Sequence, residues 1–381
     1  MRGMQTSLVL HRLKSLCTAL ILALAAFSVV YAVEPTKKPN LPQYKDHARL
    51  KVYLDDAGVE RPVTSAQDWQ KRRRHILAGM QQAMGPLPDR SKLPPLDVQV
   101  ADETKQAGVR RQTISFASGD GDRVTAYLYL PDTPAEARRP AMLALHQTSN
   151  IGKGEVAGEG KSANQAYGLE LAQRGYVVLA PDYPSFGGLQ NYDFRRGGYA
   201  SGTMKGIFNH MRAVDLLAAR EDVDPQRIGV IGHSLGGHNA MFVGVFDERL
   251  RVIVTSCGWT PFHDYYGGKL TGWTSDRYMP RLRDQYDLNP DRVPFDFYEV
   301  VAALAPRPFF SCSPTRDNNF DVAGVRKAEK AAAEIYDLLG APKNLQIRYP
   351  DCEHDFPTET RREAYRFVDT ALGHKPPRQV P

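Results

Sequence analysis

From residue 140 onward, short and almost unbroken apolar runs alternate with longer segments patterned every three to four residues. That alternation leaves few folds open. Ala141–Leu145, Tyr176–Ala180, Arg227–Ile231, Leu250–Ser256, Pro308–Cys312 and Leu345–Tyr349 read as strands. Ser162–Arg174, Ser201–Arg220, Leu235–Phe246, Val322–Leu339 and Thr358–Leu372 read as the intervening helices. A strand that is apolar on both faces must be covered on both faces, and helical crossovers between such strands make them parallel. The chain is therefore expected to be α/β, with a mostly parallel, doubly covered sheet. Ahead of it, Arg110–Ala117 and Val124–Leu130 alternate with period two around Gly119-Asp120-Gly121-Asp122, a hairpin turn that predicts an antiparallel N-terminal edge. The acids of that turn lack the twelve-residue ligand pattern of a calcium loop. Ser65–Met84 predicts one further helix, with Ser65 as its cap and Gly85-Pro86 as its stop.

The first 32 residues stand apart from this pattern. Arg2, Arg12 and Lys14 precede an apolar run from Leu16 to Ala32, and Val30-Tyr31-Ala32 has the small-residue spacing of a cleavage site. The expectation is a signal peptide over 1–32, an exported (periplasmic or extracellular) mature chain, and no membrane span after cleavage. Residues 33–95 then form an N-terminal extension with its helix, 96–375 the catalytic domain, and 376–381 a tail. The formal charge of +6 falls to +3 once the three basic residues of the leader are removed. No Lys/Arg stripe interleaved with aromatics is present, so nucleic acid is not an expected partner. Arg72-Arg73-Arg74 reads as a solvated helix face. Cys257, Cys312 and Cys352 remain after cleavage, an odd number without metal-ligand spacing, and they read as buried free thiols.

One segment breaks the alternation. Residues 259–297 have little periodicity but carry Trp259, Phe262, Tyr265, Tyr266, Trp273, Tyr278 and Tyr286. A long irregular insertion in a compact domain is commonly functional. It follows the strand after residue 250 and is expected over the carboxyl ends of the strands, where sheets of this class bind ligands. Trp259 and Trp273 are expected to offer flat faces to a substrate, Trp273 from the solvent side of a lid.

The chemistry is carried by Gly232-His233-Ser234-Leu235-Gly236-Gly237, a G-x-S-x-G stretch between a buried strand and a helix. A sharp strand-to-helix turn lifts the serine hydroxyl clear of the backbone, and the glycines let neighbouring segments approach. Serine needs a base and the base a supporting acid, following in the order Ser, acid, His. His354 follows the strand ending near Tyr349. Asp317 follows the strand ending at Cys312; its rival Asp321 is placed to cap the helix at Val322. The oxyanion needs two donors, expected from the N–H of Leu235 and, in His146-Gln147-Thr148, the N–H of Gln147. Tyr183 could line the site.

With these residues in place, the chain resembles the α/β-hydrolase superfamily, most of all its dienelactone-hydrolase-like and acetyl-xylan-esterase-like bacterial members. The resemblance spans residues 65–375 and rests on His146-Gln147-Thr148, Gly232–Gly237, Arg316-Asp317 and Glu353-His354-Asp355-Phe356-Pro357. Ser234 stands where dienelactone hydrolases proper carry cysteine. The resemblance implies a hydrolase of esters that needs neither cofactor nor metal. The expected activity is carboxylic-ester hydrolysis through a Ser234–His354–Asp317 triad and an acyl-enzyme, on a small-molecule or carbohydrate ester. A prolyl-oligopeptidase-like peptidase and a non-catalytic binding protein on the same scaffold are the rival readings.

Overall fold

The computed structural model describes residues 42–377, apart from 107, 120, 133–137 and 196. The expected signal peptide and the last four residues lie outside that range. The apolar runs do form strands, and nine of them make one sheet: β3 (Gln99–Gln106), β4 (Val109–Gly119), β5 (Asp122–Pro131), β6 (Arg139–Leu145), β7 (Val177–Pro181), β8 (Val223–His233), β9 (Leu250–Ser256), β10 (Phe309–Cys312) and β11 (Leu345–Arg348). Their order across the sheet is β11-β10-β9-β8-β6-β7-β5-β4-β3. The pairs from β7 through β11 are parallel, and β5, β4 and β3 add an antiparallel edge. A separate ribbon pairs β1 (Val52–Leu54) with β2 (Glu60–Pro62).

Period two divides each central strand between two cores. Ala141, Leu143 and Leu145 of β6 join the larger apolar cluster, and Met142 and Ala144 join the smaller one. The larger face is covered by α1 (Ala66–Met84), α3 (Gly202–Ala218), α4 (Leu235–Phe246), α6 (Phe297–Leu304) and α7 (Val322–Leu338); the smaller by α2 (Tyr167–Gln173) and α8 (Thr358–Ala371). The short α5 (Arg281–Asp284) belongs to the insertion. Caps fall where the side chains dictate: Ser65 Oγ accepts from Asp68 N–H and Ser201 Oγ from Met204 N–H.

Two expectations change. β3 was not expected, because Gln99–Gln106 is polar and almost wholly exposed. Backbone pairing to β4 holds it at the edge, and no side-chain periodicity signals such a strand. Of the Arg72-Arg73-Arg74 run, only Arg74 lies on a solvated face. Arg72 is buried and donates to Glu299 Oε1 at 2.5 Å, while His47 Nδ1 bonds the other oxygen at 2.8 Å. Arg73 donates to the carbonyls of Ala303 and Val245. The run clamps α1 to α6 and to the end of α4. The cysteines among the described residues are free, Cys257 and Cys312 buried and Cys352 half-buried. Among the described residues, no helix is long and apolar enough to cross a membrane.

His210, on α3, is buried, and loss of solvation lowers its pKa from 6.5 to about 3. A base with a depressed folded pKa confers stability above its unfolded pKa and loses it as pH falls. Wild type therefore loses stability through this group below pH 6.5. In His210→Phe, the drop in urea-measured stability between pH 7.5 and 5.5 is expected to shrink by about 1 kcal/mol. An unchanged drop would mean that His210 is charged in the fold.

Candidate active site

Ser234 sits between the last residue of β8 and the first of α4, with φ 53° and ψ −116°. A serine rarely adopts that region, so the surroundings must hold it there. Its N–H donates to Ser256 O at the end of β9 (2.8 Å), and its carbonyl accepts from the N–H groups of Gly237 (2.9 Å) and His238 (3.2 Å). Tyr167 Oη donates to Leu145 O (2.5 Å) and accepts from His233 N–H (3.2 Å), tying the ends of β6 and β8 together. The glycines are required by contact: a Cβ on Gly232 would overlap the Gly236 carbonyl, and one on Gly236 the Leu145 carbonyl. Leu235 opens α4, so its N–H has no intrahelical acceptor and is free for a ligand.

His354, in the loop after β11, hydrogen-bonds through Nδ1 to both carboxylate oxygens of Asp317, at 3.0 and 2.9 Å. Asp317 Oδ1 also accepts from Asn319 N–H (2.8 Å) and Phe320 N–H (3.3 Å). Burial alone would raise the Asp317 pKa. The hydrogen bond and charge of His354, with the Asn319 N–H and the Cys257 thiol, outweigh it and hold the carboxyl below the usual range. Asp321 takes the other role, accepting from Ala323 N–H (2.8 Å) to cap α7. The His354 ring packs on His233 (centroids 4.9 Å apart) and stacks on Phe320 (6.0 Å, 26°). No hydrogen bond joins Ser234 Oγ to His354 Nε2; such contacts commonly tighten only with substrate in place. Cys257, Asp317 and His354 bring one donor atom each within 4.8 Å of one another. Burial pushes the Cys257 thiol well up and it donates to Asp355 O (3.2 Å), so it acts as a proton donor rather than as a thiolate ligand.

A cavity of about 140 Å³ opens at Ser234, lined by Leu235, Thr148, His238, Trp273, Tyr278 and Phe320 among others. Of the expected lining residues, Trp273 is there, but it is 3% exposed rather than solvent-facing, packed among Phe262, Tyr265 and Phe297. Trp259 and Tyr183 are not in the lining. Trp259 is buried, donates from Nε1 to Ser311 Oγ (3.0 Å) and stacks on Phe297. Tyr183 is buried and donates from Oη to Arg277 O (2.6 Å), beneath the insertion. Both are supports, because the insertion adds to the apolar core rather than lying loosely over it. Gln147 belongs to the loop after β6, but its neighbour Thr148 is the one that reaches the cavity. His238, not singled out from the sequence, also lines the cavity. Its spacing of four from Ser234 on one helix face was the available signal.

A strained serine turn at the carboxyl end of a central parallel strand, an Asp–His pair from the loops after two later strands and a cavity at the serine are the arrangement of the α/β-hydrolase fold. The comparisons agree. The model of the dienelactone hydrolase family matches residues 124–262, and that of the fungal glucuronyl esterases matches residues 199–340. A Bacillus subtilis protein named as a hydrolase, YtaP, is 27% identical over 304 residues, covering 76% of this chain and 96% of its own. A 4-O-methyl-glucuronoyl methylesterase of Schizophyllum commune is 25% identical over 362 residues, covering 86% and 83%. A solved glucuronoyl esterase from Solibacter usitatus superposes with a TM-score of 0.66 at 21% identity, covering 87% of this chain and 99% of that one, a likeness of fold. The chain has the α/β-hydrolase fold, is similar to the dienelactone hydrolase family over residues 124–262, and is an esterase.

Since Asp317 touches the imidazole and Asp321 caps a helix, the two aspartates should separate in kinetics. Asp317→Asn is expected to lower kcat by about 10³-fold or more. Asp321→Asn should stay within about threefold, since asparagine also caps helices. Steady-state rates on an aryl ester check this, and a crippled Asp321→Asn would reverse the assignment.

Proposed function

We propose that the protein is an exported serine esterase of carbohydrate esters. Ser234 Oγ attacks the acyl carbon while His354 Nε2 takes its proton. Asp317 holds His354 in the tautomer with Nδ1–H and stabilises the imidazolium. The N–H of Leu235 and a second N–H from His146-Gln147-Thr148 hold the oxyanion. His354 then protonates the leaving alcohol, and water, deprotonated by the same imidazole, releases the acid from the acyl-enzyme. The strained φ of Ser234 beside the Asp317–His354 pair carries the reading of mechanism. Ser234→Ala is expected to lower hydrolysis by about 10⁴-fold or more while circular dichroism and melting temperature stay near wild type. Retention of most activity would falsify the mechanism.

The sugar half rests on the cavity wall. Trp273 Nε1 and both ring nitrogens of His238 are buried with no hydrogen-bond partner, and their rings lie 4.9 Å apart. Buried polar groups are normally satisfied, so a wall carrying three unsatisfied ones suits a ligand with hydroxyl groups. Burial lowers the His238 pKa to about 3, leaving a neutral imidazole with one donor and one acceptor, the pair a sugar hydroxyl complements. The methylesterase activity named for the Schizophyllum relative is on a glucuronoyl ester, which supports a sugar on one side of the scissile bond. Trp273→Phe keeps a packing ring and deletes the N–H. It is expected to lower kcat/KM on a uronic-acid methyl ester or an acetylated xylo-oligosaccharide roughly tenfold, the worth of one hydrogen bond of about 1.4 kcal/mol. It should leave p-nitrophenyl acetate within about threefold. Equal losses on both substrates would make Trp273 purely structural.

Export rests on the basic start, the apolar run and Val30-Tyr31-Ala32. N-terminal sequencing of the protein from a secreting host is expected to begin at or near Val33. Retention of Met1 on membrane-bound material would instead indicate an anchor.

A further inference from the structure

Taking Ser234 as the nucleophile, we propose that the second oxyanion donor is the N–H of Thr148, and that His146 is the positioning residue that aims it. β6 lies between β8 and β7 in the sheet. His146, the first residue past β6, is 2% exposed. Its Nε2 accepts from the N–H of Tyr183, just past β7, at 2.9 Å. The proton is therefore on Nδ1, which donates to Gln147 O at 2.6 Å. The imidazole thus leans toward β7 and draws the Gln147 carbonyl with it. In a trans peptide the C=O and the following N–H point in opposite directions. The Thr148 N–H is accordingly turned toward β8, the side on which Ser234 stands.

Four further observations agree. Thr148 lines the cavity with Ser234 and Leu235, whereas Gln147 does not. Gln147 is committed elsewhere, its Nε2 donating to Glu155 Oε2 (2.9 Å), while Ser149 Oγ holds Glu155 Oε1 (2.6 Å). Gly236 lies so close to the Leu145 and His146 carbonyls that a Cβ there would overlap them, which brings the two loops together. Phe186 meets the His146 ring edge-on at 5.8 Å, fixing its plane.

The relay needs a neutral imidazole, since a proton on Nε2 would confront the Tyr183 N–H. Burial lowers the His146 pKa, and Lys153 works in the same direction. Asp182 and Glu155 oppose them. On α3, His210 also interacts with His146 and is itself kept neutral by burial, with a pKa of about 3.

The test uses the mature full-length chain and p-nitrophenyl acetate, a substrate with no sugar to bind. His146→Leu is expected to lower kcat about 10²-fold, the usual loss for a misplaced oxyanion donor, with KM within threefold. Affinity for a boronic acid, which mimics the tetrahedral intermediate, should fall by a similar factor. His146→Gln, which keeps a donor and an acceptor on one planar group, should recover part of both losses. Replacing the backbone N–H of Thr148 by an ester oxygen, with the threonine side chain unchanged, should reproduce the loss of kcat, and the same replacement at Gln147 should not. If His146→Leu fails to fold, the two backbone replacements decide alone. A loss confined to KM in His146→Leu, or a harmful replacement at Gln147 with a harmless one at Thr148, overturns the proposal. Ser234→Ala separates the two levels: if it retains hydrolysis, the serine-esterase reading itself falls. If it is inactive while the Thr148 ester behaves as wild type, only the present assignment falls.

Discussion

The close packing of three strand ends around one serine is the constraint on which the site depends. β6, β8 and β9 terminate side by side, and Ser234 is pinned in a conformation that serine avoids by Ser256 O on one side and by its own helix on the other. The strain is sustained because the surrounding bonds over-determine it. Tyr167 bridges Leu145 O and His233 N–H at two strand ends, and the lack of Cβ atoms on Gly232 and Gly236 lets the segments meet. The same packing brings the first turn of α4 against the loop after β6, the two segments from which the proposed oxyanion donors come.

The Asp317–His354 pair is organised separately and docked onto this frame. Asp317 closes its own turn through the N–H groups of Asn319 and Phe320, and so points its carboxylate inward at a nearly fixed angle. The ring of His354 is then held by that carboxylate, by stacking on Phe320, which lines the cavity, and by a tilted contact with His233, the neighbour of Ser234. Cys257 contributes a thiol kept protonated by burial.

The aromatic insertion does more than roof the cavity. Phe262, Trp273, Phe295 and Phe297 pack with Phe242 of α4, so the wall of the pocket is continuous with the larger core. A rigid wall of this kind can hold unsatisfied polar atoms such as Trp273 Nε1 in place, at a cost that is recovered when a ligand supplies the partner. It also explains why α1, far from the chemistry, matters: the chain at Pro294 lies directly against Gly79, and Arg281 donates to Gln82 O, so the N-terminal helix buttresses the insertion from outside.

Much of this was legible in the residues themselves. Periodicity placed the central strands and helices to within a few residues, because strands buried on both faces and helices buried along one stripe write their environment into the chain. The G-x-S-x-G stretch located the sharp turn at Ser234, since a tight strand-to-helix turn makes use of those glycines. Loop position separated Asp317 from Asp321, because a residue directly before a helical pattern is engaged in capping. What the sequence could not express was everything set by approach between distant segments. β3 is held by backbone hydrogen bonds that any side chains permit, so its polar residues gave no signal. Trp259 and Trp273 are alike in composition and context, yet one supports the core and the other reaches the pocket, a distinction made by how the insertion packs. Arg72 looked solvated until Glu299, 227 positions away, closed on it. The direction of one peptide plane at Gln147–Thr148 is decided by an imidazole bonded across to the next strand, and no local pattern in His-Gln-Thr carries that information.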